Sequence, residues 1–369
     1  MARRVHGGNG FARRLVVAAL VVACLVTALI LFGRADDRGG APGTSLAPAR
    51  PAAPIDGSRA ESTPRDALPA EAWAILDLDL GHLVQLGAPL SGRLDALDCD
   101  QIPPPRRISV ALLAPPVRAD VGDELEFLVT STDATAAFRA CARDRMRDGG
   151  AVAEPWPGGI EVARRPGGLR LLLSPGEGPM MFASAPSWGT DALVEVLAGA
   201  RPSAARHGHH AELLASMSAA LMPGSPGEPA LDATTPHADV PRANTNESSA
   251  VILTLALPSG WVDGLVSPEE ASRTPLRFLR AAAWALRDDS LFGLIDCQVT
   301  QDGSGCDALG RFLVDARGDL LSHAPRDQHR ALLDGWSLRA IAPHRLELRW
   351  RIPAEARGKL LAQLLAGAL

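Results

Sequence analysis

The chain has 369 residues, 47% of them hydrophobic, with 37 Lys plus Arg against 42 Asp plus Glu and a formal charge of −5. That length is ample for a buried core or two, and the lack of a basic field excludes nucleic acid as a partner. Tyr is absent and Lys359 is the single lysine, so no SxxK dyad exists.

Residues 1–14 form a basic N-tail containing Arg3, Arg4, Arg13 and Arg14. Leu15 to Phe32 follows as eighteen uncharged residues, twelve of them Leu, Val, Ile or Phe. A helix here spans roughly 27 Å at about 1.5 Å per residue, close to the hydrocarbon thickness of about 30 Å. Behind the run, Arg34 and Arg38 are accompanied by Asp36 and Asp37. Positive charge is held inside, so the expectation is a single-pass signal-anchor in a bacterial-type inner membrane. Its N-terminus is then cytoplasmic and its bulk periplasmic or extracellular. Two other fates of the segment also export the remainder: cleavage near Gly33 and Ala35, or lipidation at Cys24.

Residues 33–69 are rich in Pro, Ala and Gly, too poor in large apolar groups to offset ordering entropy, and read as a disordered tether. Its r.m.s. reach is on the order of 35 Å. Residues 223–249 read as a second such linker. The remainder divides into units at 70–222 and 250–369.

In the first unit, Trp73 to Leu80 alternates Leu76, Leu78 and Leu80 against Ile75, Asp77 and Asp79, which predicts a strand with its aspartates toward solvent. A short helix over residues 83–97 and strands around Ile108 to Leu112 and Leu125 to Val129 follow. Asp133 is placed to cap a helix carrying Ala134, Phe138, Cys141 and Ala142 on one face. A hairpin over residues 160–173, a strand over 180–183 and helices over 188–197 and 211–221 complete the unit.

The second unit repeats this order. Strands are expected at 251–257, 279–286 and 291–299, with Asp288-Asp289 at a hairpin turn. Helical segments fall within 261–271. A helix opening at Ser304 places Cys306, Leu309 and Leu313 on one face, and a hairpin over 336–352 leads into an amphipathic C-terminal helix over 354–369. The expected fold is therefore α+β: two similar split-βαβ-like units with mostly antiparallel sheets and helices on one face.

Four cysteines lie beyond the apolar run, an even number for an oxidising compartment. The expected bridges are Cys297 with Cys306 and Cys99 with Cys141. The only histidine cluster is His207, His209 and His210, a weak candidate for metal; it lacks the HExxH arrangement, and no CxxC spacing exists. Asp77, Asp79 and His82 are a candidate acid/base group only if a pocket gathers them. There is no GxSxG elbow, Walker loop or GxGxxG after a strand, so the sequence offers no catalytic residue and no cofactor. The Trp residues, among them Trp73, Trp188, Trp284 and Trp350, read as core. The functional expectation is a membrane-anchored, non-catalytic envelope protein whose exported domain binds a protein or cell-wall component. The alternative is an exported hydrolase with its site between the two halves.

Overall fold

A computed structural model describes residues 63–85, 99, 102–113, 126–221, 249–264, 268–287, 290–300, 304–323 and 335–352. The expected membrane run, the linker up to residue 248 and the C-terminal helix lie outside the described residues. Among the described residues no helix is long and apolar enough to cross a membrane.

Among the described residues twelve strands occur in chain order. They are β1 (Ala74–Asp79), β2 (Arg107–Leu112), β3 (Phe127–Ser131), β4 (Val152–Trp156), β5 (Ile160–Arg164), β6 (Leu169–Leu173), β7 (Met180–Ser184), β8 (Val251–Ala256), β9 (Leu279–Arg287), β10 (Ser290–Cys297), β11 (Trp336–Ala342) and β12 (Arg345–Arg351). The α-helices are α1 (Leu80–Gln85), α2 (Ala136–Asp148), α3 (Thr190–Leu197), α4 (Gly208–Ala220), α5 (Pro268–Arg273) and α6 (Ser304–His323). The α+β class and the antiparallel sheet are as the alternation predicts.

The arrangement differs from two separate split-βαβ sheets. All twelve strands form one sheet in the order β11-β12-β10-β9-β8-β1-β2-β3-β7-β6-β5-β4, and every neighbouring pair is antiparallel. Neighbouring strands are all antiparallel, so strands joined through a helix lie apart in the sheet: β10 and β11, linked by α6, run parallel with β12 between them, a split-βαβ order. The halves meet where β1 pairs β8, with Leu76 opposite Leu253 and Ile75 opposite Thr254.

Helices cover both faces rather than one. The strands are apolar on both sides: Leu76, Val110 and Val129 share one face, and Ile75, Ala111 and Leu128 share the other. Two apolar faces require two covering layers. On the first face, Phe138, Ala142 and Met146 of α2 pack on Leu76, Val110 and Phe182. Farther along that face, Cys306 and Leu309 of α6 pack on Ala282, Ile295 and Leu346. On the second face, Leu193 and Leu197 of α3 cover Ile75, Ala111 and Leu128. There, too, Leu213 and Met217 of α4 pack on Ala281, Ala283 and Ala285; those short side chains let the helix approach β9 closely.

Local chemistry sets several boundaries. The N-cap of α2 is Thr135, whose hydroxyl accepts from Phe138 N at 3.2 Å. Asp133, the expected cap, instead accepts from the backbone N–H groups of Arg106 and Arg107 at 3.0 Å each, joining the start of α2 to β2. β4 was not evident in the sequence because Glu154-Pro155 interrupts its pattern. Proline is tolerated there because β4 is the edge strand. Residues 64–69, expected within the tether, are docked. Pro64–Ala67 forms a 3-10 turn with Arg65 and Ala67 buried, Leu68 enters the core beneath α3, and Pro69 bridges to Ser203.

Disulfides join Cys99 to Cys141 (Cα–Cα 6.2 Å) and Cys297 to Cys306 (Cα–Cα 5.3 Å). Each fastens one of the two helices of the first face: Cys141 lies in α2 and Cys306 in α6. Buried arginines fasten the loops. Arg139 of α2 donates to the carbonyls of Ser174 and Gly178, and Arg170 of β6 donates to those of Ala185 and Trp188. Burial, and then a neighbouring guanidinium, lowers the pKa of both.

Loop-closure entropy ranks the two bridges. The separations are 42 and 9 residues, so replacing Cys99 and Cys141 by Ala should cost about 4 kcal/mol and replacing Cys297 and Cys306 about 2.5 kcal/mol. Equilibrium denaturation in urea measures both; equal losses would contradict the ranking.

Candidate functional site

Two places gather chemistry-bearing side chains. One is the junction of the halves on the second face, and the other is a groove at the β11 end of the sheet.

At the junction, Arg65 reaches inward from the 3-10 turn and is 3% exposed. Its Nε donates to Asp77 Oδ2 at 2.9 Å, its Nη2 lies 2.7 Å from the same oxygen, and its Nη1 donates to Thr254 Oγ1 at 3.0 Å. Ser109 Oγ donates to Asp77 Oδ1 at 2.5 Å, and Thr130 Oγ1 donates to the Pro64 carbonyl at 2.7 Å. His210 of α4 is 0% exposed; its Nε2 lies 2.5 Å from the Ala72 carbonyl and its Nδ1 2.8 Å from Thr254 Oγ1. A carbonyl only accepts, so Nε2 carries the proton and Nδ1 accepts from the threonine hydroxyl. The threonine oxygen in turn accepts from Arg65.

This arrangement closes on itself. Burial pushes the His210 imidazole down to about 4, outweighing the hydrogen bond to the Ala72 carbonyl. The ring is therefore neutral at pH 7, with both nitrogens occupied. Ser109 donates to Asp77, a carboxylate already held by Arg65, and not to His210, so no Ser-His pair forms here. These groups link β1, β2, β8, α4 and the 3-10 turn.

The residues singled out by sequence therefore part company. His210 points into the core, whereas His207 sits exposed at the N-cap of α4 and His209 is exposed, 3.6 Å from Glu212. Among the described residues no three His, Cys, Asp or Glu groups converge as a metal site. Asp77 and Asp79 do not stand free in solvent, as their alternation suggested: Asp77 is 25% exposed and held by Arg65 of the 3-10 turn, and Asp79 lies beside Arg106 and Arg107. Asp79 is 5% exposed and accepts from His82 N at 2.9 Å, capping the first turn of α1. Burial alone would raise its pKa, but the His82 N–H and the guanidinium groups of Arg106 and Arg107 hold it below the usual carboxylate range. Asp288 and Asp289 lie outside the described residues. Arg65 and Thr254 left no local signal; an arginine inside a Pro/Ala stretch reads as solvated until its partner strand is known.

Farther along the second face, Arg345 holds Asp296 with a two-pronged pair, Nη2 to Oδ2 at 2.8 Å, and donates to Ser216 of α4 at 2.8 Å. The hydrogen bonds that Arg345 donates to Asp296 raise its pKa. Glu347 is buried between Arg339 and Arg349, each at 2.8 Å. Burial opposes its ionisation, yet the two guanidinium bonds hold its pKa below the ordinary value.

On the first face, the outer side of α6 and strand β11 enclose an open groove of about 480 Å³. Asp307, Arg311, Val314 and Asp315 form its helical wall, and Leu338, Ala340 and Leu346 its floor. Val314 is 51% exposed.

The junction generates two measurable consequences. His210 binds a proton in the unfolded chain below about 6.5 but in the folded chain only below about 4. The unfolded state thus holds more protons between those values, and stability falls as pH drops from 6.5 towards 4, by on the order of 3 kcal/mol at most. In His210→Gln that part of the slope should vanish when urea midpoints are compared at pH 7, 5.5 and 4.5. Arg65→Met leaves Asp77 beside an uncharged neighbour and should cost roughly 3 kcal/mol; a loss below 1 kcal/mol in the same assay would show that the pair does not hold the halves together.

No protein-family model matches the chain, and no curated protein matches it in sequence. Two crystal forms of a protein named TP0453 are similar in fold, with a TM-score of 0.43, 11% and 12% identity, and coverage of 83% of this chain and 100% of that one.

Proposed function

We propose that the chain is a non-catalytic binding or scaffold protein of the cell envelope. Leu15 to Phe32 anchors it in the membrane, and the sheet domain lies on the periplasmic or extracellular side, where it engages another protein or a cell-wall component. The observation that carries the binding reading is the α6–β11 groove, an open surface with an apolar floor and a charged wall. Among the described residues, Arg65 and Asp77 at the junction are paired with each other, and both nitrogens of His210 are engaged by Thr254 and the Ala72 carbonyl. Export is supported by the length and charge flanks of the apolar run and by two disulfides, which persist in oxidising compartments.

Protease added to intact spheroplasts that express the chain with a C-terminal tag should remove the tag. Cys99, Cys141, Cys297 and Cys306 should react with a maleimide only after reduction. In-cell crosslinking should then capture a specific neighbour. Tag protection in intact spheroplasts would sink the export reading, and turnover of a model ester or glycan without any captured neighbour would sink the binding reading.

A further inference from the structure

β11 is a terminal strand: β12 pairs with one of its edges, and among the described residues nothing pairs with the other. A hydrogen bond from Arg351 N to Gly335 O fixes the phase of that ladder. With Trp336 opposite Trp350 and Ala340 opposite Leu346, antiparallel alternation turns the backbone groups of Ser337 and Arg339 toward β12. Those of Trp336, Leu338 and Ala340 point outward. From Trp336 to Ala340 the strand has no proline and no register shift. The opposite edge, β4, carries Glu154 and Pro155, devices that discourage strand addition. One edge of the sheet is thus blunted and the other is left receptive, with the α6 groove directly beside it.

We propose that β11 and the groove bind an extended segment of a partner protein by strand addition, and that this segment carries basic residues four positions apart with an apolar residue midway. The inference rests on the binding reading above and names its ligand. A strand added to β11 would form main-chain hydrogen bonds to Leu338 and Ala340 and raise alternate side chains toward the outer side of α6. On that side stand Asp307 and Asp315, both exposed and neither in an ion pair among the described residues. Eight helical residues separate them by about 12 Å, and four strand residues cover about 13 Å. Two basic side chains on the same face of an added strand therefore meet both carboxylates. Val314 and Leu338 supply an apolar contact between them, and Arg311 disfavours a third basic group there. Arg339 on the strand is already held by Glu347 at 2.8 Å. A second copy of β11 is a poorer occupant, because Trp336–Ala342 contains Arg339 as its only basic residue.

The test uses the full-length chain, purified in mild detergent with its disulfides oxidised. A fluorescent seven-residue peptide, threonine throughout except lysine at its second and sixth positions and valine at its fourth, is titrated by anisotropy. Saturable binding is expected. Ala340→Pro removes an outward N–H but no bond to β12, and should weaken binding about tenfold or more. Asp315→Lys, on the helix surface, should weaken it about fivefold. A peptide with glutamates in place of the lysines should not bind. Circular dichroism melts confirm that each variant is folded. Wild-type affinity in both variants, or equal binding of the glutamate peptide, overturns the proposal. No peptide binding while crosslinking in cells still captures a neighbour overturns strand addition and leaves the broader binding reading standing. Concentration-dependent dimerisation that Ala340→Pro abolishes would assign the edge to a second copy and also overturn it.

Discussion

The pairing of β1 with both β2 and β8 is the contact on which the rest of the molecule depends. β1 is six residues long, is hydrogen-bonded along both edges and packs on both faces. Through it a segment near residue 75 and another near residue 253 become neighbours in one sheet, so two stretches of chain that would each have made a small α+β unit share a continuous core. A central strand with both edges used has little freedom of register, because a slip of one residue would exchange Ile75 and Asp77 with Leu76 and Leu78.

The polar network beneath α4 reinforces that pairing. Asp77 lies on β1, Ser109 on β2, Thr254 on β8, Arg65 on the segment before β1 and His210 on the helix that crosses them. Removing such groups from water is costly, and the cost is offset because these groups partner one another, Nη2 of Arg65 by its ion pair with Asp77 rather than by an aligned hydrogen bond. A catalytic arrangement of the same residue types would leave one nitrogen or one hydroxyl open to a substrate. Here the histidine is held neutral with both nitrogens engaged, so the same residue types give cohesion instead of reactivity.

Arginine does the fastening elsewhere, in keeping with a chain that has a single lysine. The planar guanidinium serves two or three acceptors at once, which suits Arg139 and Arg170 as they close loops onto the sheet and Arg345 as it ties β12, β10 and α4. The two disulfides act in the same sense on the opposite face, one for α2 and one for α6. Fixing α6 over β10 and β12 also sets the height of its outer wall above β11. The groove is therefore a product of how firmly that helix is held.

The sequence by itself determined the elements and much of their inward faces: the alternation of β1, β9, β10 and β12, the helical spacing of Phe138 and Ala142, and the cysteines on α2 and α6. It also marked the apolar run at Leu15, since eighteen uncharged residues speak for themselves without any partner. Tertiary structure alone decided what depends on distant neighbours. How far Asp77 and Asp79 met water turned on Arg65, which comes from a Pro-rich stretch upstream, and on Arg106 and Arg107, which arrive with the neighbouring strand. Whether the histidine cluster acted together turned on helix phase and on which side of α4 met β8. Whether there were two sheets or one turned on the edge of β1. Periodicity reports which side of a strand or helix is apolar; it carries no information about which segment arrives to cover it.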